Sequence, residues 1–267
     1  MPRYNNGIKP HSLLWRLIGV IAFVAMWQLT ASLVKSSLIL PSPWEAGAAL
    51  LHLLRRAVFW TSVGGTILRV LEAFVISLCL GLASGSLSGF YPEVKAFMSP
   101  FITGIRATPV LALILLAMFW FPSTQVPVFS AVLMAFPVIY TSAETGVHAA
   151  DQKLVQMSEL FHVPTSTIFW RLRLPSALPY LFSGAKNALG LSWKVVVAGE
   201  VLAQPRMALG TGMQDARLTL ETPTVFAWAI TTILLCGLTE YFFGLLTTKF
   251  SSQFQQPQET PYERGEQ

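Results

Sequence analysis

Residues 151–186 read DQKLVQMSELFHVPTSTIFWRLRLPSALPYLFSGAK. Two amphipathic pieces flank a Pro-Thr-Ser break. In the first, Val155, Glu159 and His162 share one face, and Leu154, Met157, Leu160 and Phe161 make the apolar side. Pro164, Thr165, Ser166 and Thr167 form a turn able to cap a helix starting near Thr165. Ile168, Phe169 and Leu172 then give an apolar stripe beside Arg171 and Arg173. Pro175 and Pro179 argue against a regular helix through 174–178. Two readings of this short, stiff knob stay open: a docking element for a partner, or a loop packed on a lipid surface.

What lies on either side decides the class of protein. A helix needs about 20 mostly apolar residues to cross a bilayer. Residues 17–34 and 73–92 contain no Asp, Glu, Lys or Arg. Residues 107–143 are also free of charge but too long for one span; Pro122, Ser123 and Pro127 break them into a hairpin of two helices. Residues 187–201 carry only Lys194 and Glu200, and an apolar run from 222 continues past Glu240 to 248. About six spans result. The first run is too long for the core of a cleaved signal, roughly 7–15 residues, and reads as an uncleaved span.

Composition agrees. Of the 267 residues, 53% are hydrophobic and 12% charged, about half the charge of a soluble domain. That excludes a disordered chain and argues against a soluble enzyme. The net charge of +5 comes from basic residues set between apolar runs rather than clustered as for nucleic acid. With both termini cytoplasmic, Arg3, Lys9, Arg16, Lys95, Lys153, Arg171, Arg173, Lys186, Lys249 and Arg264 lie inside, and Lys35, Arg55, Arg56, Arg206 and Arg217 outside. This twofold excess favours that orientation. The expected organisation is a tail over 1–16, one membrane domain over 17–249 and a Gln-, Glu- and Pro-rich tail over 250–267. Residues 43–59 read either as an interfacial helix or as an extension of the second span.

Several chemistries are missing. There is no G-x-x-x-x-G-K-[ST] phosphate loop and no H-E-x-x-H. His11, His52, His148 and His162 are scattered, which disfavours a metal site. Cys79 and Cys236 sit in apolar stretches and read as small core residues. Gly190-Leu191-Ser192 has the Gly-x-Ser pattern of some intramembrane hydrolases, but no suitably placed His follows it.

Charges inside spans are costly and normally face a passage or a partner. Arg69, Glu72, Arg106, Lys194, Glu200 and Glu240 qualify. Arg69 and Glu72, three apart, can pair on one helix face. Arg106 lies near the inner end of the third span, where it can snorkel. Lys194, nearest mid-membrane, either lines a cavity and attracts an anion or pairs with Glu200 or Glu240 of a neighbouring helix. Trp120, Trp193 and Trp228 read as cavity-lining or as core anchors. Gly81, Gly85 and Gly89 recur every four residues, a spacing that lets helix backbones approach closely.

The chain over about 40–248 resembles the permease subunits of importer-type ABC transporters, within them the nitrate/sulfonate/taurine branch. The resemblance rests on Leu-Pro-Ser-Ala-Leu-Pro-Tyr at 174–180, Ser183-Gly184, Ala-Leu-Gly-Leu-Ser-Trp-Lys at 188–194 and Ala-Gly-Glu-Val-Leu at 198–202. Leu-Arg-Val-Leu-Glu-Ala-Phe at 68–74 and Ile-Arg-Ala-Thr-Pro at 105–109 add to it. It implies an all-α type I permease fold in the bacterial inner membrane. It implies a second permease subunit, two cytoplasmic ATP-binding subunits that hold ATP and Mg, an external solute-binding protein, and no cofactor on this chain. Glu159, Leu160, Phe161, His162, Val163, Pro164 and Thr165 would couple to the ATPase, with Leu174, Pro175, Pro179 and Gly184 as the loop motif. Arg69, Arg106, Trp193, Lys194, Glu200 and Glu240 are the pathway candidates. The family's loop often carries Glu-Ala-Ala and then a Gly; here Gln156, Met157, Ser158 and His162 stand in those places. A left-handed turn at His162 has a cost that Gly would not incur. An ion-gradient-driven secondary transporter of similar size is the alternative, but the internal repeat it should show is not seen.

Overall fold

The computed structural model describes residues 10–254. These form α1 (Pro10–Val34), α2 (Pro43–Leu54), α3 (Ala57–Phe90), α4 (Pro92–Ala107), α5 (Val110–Ala117), α6 (Val126–Val147), α7 (Gln152–Leu160), α8 (Thr165–Ile168), α9 (Leu174–Ala203), α10 (Leu209–Leu218) and α11 (Thr222–Phe254), with no strand among them. The helices α1 and α11 extend into the two expected tails. The remainder of those tails, 1–9 and 255–267, lies outside the described residues.

The span count differs from the sequence expectation. Four helices (α1, α3, α6 and α11) are long and apolar enough to cross a membrane. The pair α4–α5, bent by 98°, is apolar enough to make a fifth if its two halves count as one span. The break falls at Thr108-Pro109, where Pro109 excludes its predecessor from helical backbone and Thr108 is extended. So the expected clean third span is a long amphipathic piece and an 8-residue one. Helix α9 has 30 residues, but Lys186, Asn187, Lys194 and Glu200 keep it less apolar than the others. The expected hairpin break is present, with α6 opening beyond Pro122 and taking Pro127 into its first turn.

Helices α3, α6 and α9 form the core. Gly81, Gly85 and Gly89 of α3 lie against Ile139, Tyr140, Ala143 and Val147 of α6; a Cβ at Gly85 would overlap the Tyr140 carbonyl oxygen. On its other side α6 meets α9, where Gly184 abuts Ser142 and Gly199 abuts Pro127. The buried Ala73, Ala131, Ala135, Ala188 and Val196 fill the space between the three helices. Helix α2 is a separate helix rather than an extension of the second span. Its N-terminus is fixed by a reciprocal capping box between Ser42 and Glu45, and it packs on α11.

The loop 151–186 has an order that its prolines concealed. Helix α9 begins at Leu174 and runs on through Pro179. Pro175 directly follows a π-helical turn, in which the Leu174 N–H donates to Phe169 O, and this local widening lets the helix pass a residue that lacks an N–H. A π-helical turn, Phe169–Arg173, joins α8 to α9. The cap of α8 is Pro164 and uses no side-chain hydrogen bond, so the hydroxyls of Thr165, Ser166 and Thr167 do not act as expected.

Candidate functional site

At one end of the bundle α7 and α8 make the knob. Helix α7 starts on Asp151, whose side chain accepts from the Lys153 N–H. It stops in a Schellman arrangement: the His162 N–H donates to Glu159 O and the Val163 N–H to Ser158 O, both at 3.0 Å. That geometry requires a left-handed residue, and His162 supplies it at φ 54°. The position where the family often carries Gly therefore keeps the glycine-type backbone without a glycine. Val155, 3% exposed, packs with Ala150 and Ile168 beneath the knob, with Val163 and Leu172 alongside. The apolar side faces outward: Leu160 is 76% and Phe161 73% exposed, and Leu154 and Met157 are exposed as well. The sequence grouped Leu154, Met157, Leu160 and Phe161 as the apolar side; the residue that packs beneath the knob is Val155. Glu159, Pro164 and Thr165 are exposed and Val163 half-buried. Arg173, in the π-helical turn, sets its guanidinium over the Phe90 ring at 5.9 Å, tying the knob's base to the end of α3.

At the opposite end, Glu200 of α9 is fully buried. Its carboxylate accepts from the Thr66 hydroxyl at 2.9 Å, from Arg69 Nη1 at 2.9 Å and from the Gly210 N–H at 3.1 Å. Arg69 also donates to the Met207 and Arg206 carbonyls, and the Leu209 N–H donates to Thr66 Oγ1 at 3.0 Å. Arg69 pairs with Glu200 rather than with Glu72, because the buried carboxylate needs the guanidinium more than the exposed one does. The network clamps the α9–α10 turn, where Gln204 and Met207 are both left-handed. Gly65 allows this, since a Cβ there would run into the Met207 carbonyl oxygen. Beside it lies a 630 Å³ cavity lined by Arg69, Glu72, Thr124, Gln125, Phe129 and Met207, among others. Sequence reading flagged Arg69 and Glu200 but missed Thr66. The only available signal was its place one helical turn before Arg69.

Between these ends lie the remaining candidates. Lys194 is exposed on α9 and makes no ion pair with Glu200 or Glu240 among the described residues. Glu240 of α11 sits over Gly190, where a Cβ would overlap its carboxylate, and accepts a long contact from the Cys236 thiol at 3.7 Å. Trp193 is buried and packs toward α3 and α11, away from the Lys194 face. Trp228 is buried against Phe59, whereas Trp120 is exposed. Arg106 does not snorkel. Its Nη2 donates to the Pro137 carbonyl at 3.0 Å and to the Thr141 hydroxyl of α6. Lys95 of α4 meets Glu144 of α6 at 2.6 Å, a contact unforeseen in the sequence. No group of three or more His, Cys, Asp or Glu among the described residues is arranged to hold a metal.

A core of three close-packed helices, a bent helix pair and a knob at one end define a polytopic helical membrane protein, and comparison places it. Residues 77–252 match the family model described as the binding-protein-dependent transport system inner membrane component. The chain belongs to that family and is a permease subunit of an ABC importer, a multi-pass protein of the bacterial inner membrane. It is 27% identical to a Bacillus subtilis protein named "Putative aliphatic sulfonates transport permease protein", over 92% of this chain and 90% of that one. It is also 27% identical to the taurine transport system permease protein of Escherichia coli, over 88% and 92%. The inward-facing MetNI methionine ABC transporter shares the fold at a TM-score of 0.54 and 18% identity, covering 78% of this chain and 98% of that one.

Proposed function

We propose that this permease forms half of an ATP-driven passage for a small anion and is worked through the α7–α8 knob. The observation that carries the coupling role is the outward display of Leu160 and Phe161 on a turn locked by His162 and underpinned by Val155. Apolar residues on a rigid convex element favour a groove on a partner over water. In this reading Glu159, Leu160, Phe161, His162, Val163, Pro164 and Thr165 seat in a cleft of a cytoplasmic ATP-binding subunit. The Leu174, Pro175, Pro179 and Gly184 stretch then transmits that subunit's movement into α9. Two copies of the chain pair, two ATP-binding subunits hold ATP and Mg, and an external binding protein delivers the solute. ATPase closure moves the knobs and switches the passage by rigid-body rotation.

The anion assignment rests on Lys194, a cation exposed far along α9, which this reading takes as a span, with no carboxylate in ion-pair contact among the described residues. Such a charge faces a polar passage rather than lipid, and it attracts an oxyanion. The names of the sulfonate and taurine relatives support a sulfonate-like solute. The test is uptake of radiolabelled taurine or an alkanesulfonate into proteoliposomes holding the chain, its ATPase and its binding protein. Uptake should need ATP and all three components. Uptake driven by an ion gradient with no ATPase present would overturn the reading in favour of a secondary transporter.

A further inference from the structure

The contacts between the core helices fix which way each remaining side chain faces. On α6, Ser142 and Pro127 face α9, while Ile139 and Ala143 face α3. At about 100° per residue, Thr141 lies on the opposite side of the α9-facing line from α3. On α9, Gly184 and Gly199 face α6, Glu200 faces α3, and Gly190 faces α11. The same count puts Asn187 and Lys194 on the side of α9 away from α3, about 90–110° from the α6-facing line. Arg106 reaches Thr141 and Pro137 from α4. Arg106, Thr141, Asn187 and Lys194 therefore border one open groove along the α6–α9 seam, walled by α4 and α5 on one side and α11 on the other.

The register also gives depth. Gly184 is level with Ser142, so Thr141 and Asn187 lie within about one turn of each other, and Lys194 lies roughly 12 Å nearer the α10 end at 1.5 Å per residue. Both of these Arg106 bonds use Nη2, which leaves Nη1 and Nε uncommitted by them. The nearby acid on the same face of α6, Glu144, is already paired with Lys95. A guanidinium steered by a carbonyl and a hydroxyl, beside an amide and without a carboxylate of its own, presents a fork that matches two oxygens of one anion.

We propose that Arg106, Thr141 and Asn187 form a second oxyanion station, one step inward of Lys194, for a sulfonate- or carboxylate-bearing solute. This rests on the groove being the passage. Lys194, a compact point charge, draws the anion in; Arg106 orients it and receives it about two turns further along.

The test uses a thiol placed at the station. In the assembled transporter with Cys79→Ser and Cys236→Ser, Thr145→Cys puts a thiol on an exposed site one turn from Thr141. It is treated with 2-sulfonatoethyl methanethiosulfonate or with its 2-trimethylammonioethyl counterpart. In each case the thiolate attacks the sulfenyl sulfur, a mixed disulfide forms and methanesulfinate leaves. The anionic reagent should react faster, and Arg106→Gln should lower the anionic-to-cationic rate ratio about tenfold, the size of a unit charge a few ångströms away in a partly wet groove. Arg106→Lys should hold the ratio but raise several-fold the concentration of methanesulfonate that protects the thiol, because the fork is lost. It also serves as the readable variant if Arg106→Gln does not insert. A ratio unmoved by Arg106→Gln, or protection unmoved by Arg106→Lys, overturns the station and leaves the groove standing. A thiol that neither reagent reaches from water overturns the groove itself.

Discussion

Arg69 Nη1 and Glu200 Oε1 meet at 2.9 Å across 131 residues of sequence, with the guanidinium 13% exposed and the carboxylate not at all. This contact, with Thr66 and the Gly210 N–H, joins α3 to the turn after α9. It also explains how two left-handed residues persist there without glycine. The desolvation of Glu200 is offset only while all three donors stay in place.

Glu200→Ala removes the acceptor of all three donors and is expected to lower the unfolding free energy by about 3–5 kcal/mol. Arg69→Met, which strands the carboxylate, acts in the same direction. The double variant should lose less than the two singles combined, since the second change removes a group already stranded. Denaturant-induced unfolding of the detergent-solubilised chain reads all three; strictly additive losses would refute the clamp.

His162→Gly should stabilise the end of α7 by about 0.5–1 kcal/mol, the left-handed cost of a side chain less the entropy of glycine. His162→Val should destabilise it. Amide exchange over 158–163 reports the change. Equal protection in the wild type and both variants would mean that the left-handed turn is not strained.

Gly85→Ala should cost about 1–3 kcal/mol by forcing α3 from α6, because the new methyl would meet the Tyr140 carbonyl and lie 2.8 Å from the Ala143 Cβ. Gly64→Ala, with nothing within 4 Å of its Cβ, is the control and should be neutral or slightly stabilising. Thermal unfolding of both variants checks the contrast; equal effects would contradict the seam.

The Glu45 carboxyl is held below its ordinary value, first by the Ser37 hydroxyl, then by the Ser42 N–H and hydroxyl. A lowered folded-state value means that the cap's stabilisation is complete above the unfolded value of 4.5. It is lost as pH falls through the lower folded value. Exchange of the first-turn amides of α2 should accelerate on acidification in the wild type and be pH-insensitive, at a faster level, in Glu45→Gln, once the intrinsic rate is corrected. A wild type that tracks the variant would reject the cap.

The fold class was legible because apolar runs of bilayer length have few other uses, and the glycine period of α3 announced a close helix neighbour without naming it. The bend at Thr108-Pro109 was masked by charge-free residues on both sides, which hydropathy cannot divide. The continuous start of α9 was hidden because a π-helical turn just before Pro175 accommodates the proline, and the sequence does not announce that turn. The clamp was only half legible: Arg69 and Glu200 stand out as charges, but their pairing is a tertiary fact. The nearby Glu72 offered a local partner that burial outweighed. At the knob, the amphipathic pattern showed an apolar side without showing that this side faces outward.

The most direct measurement places a photo-crosslinking amino acid at Phe161 in the assembled complex in membranes. The account predicts an adduct with the ATP-binding subunit whose yield changes when ATP is bound and hydrolysis is blocked, and an intact complex that loses transport in Phe161→Ala. Adducts confined to lipid, or labelling by a membrane-impermeant reagent from the external side, would contradict it.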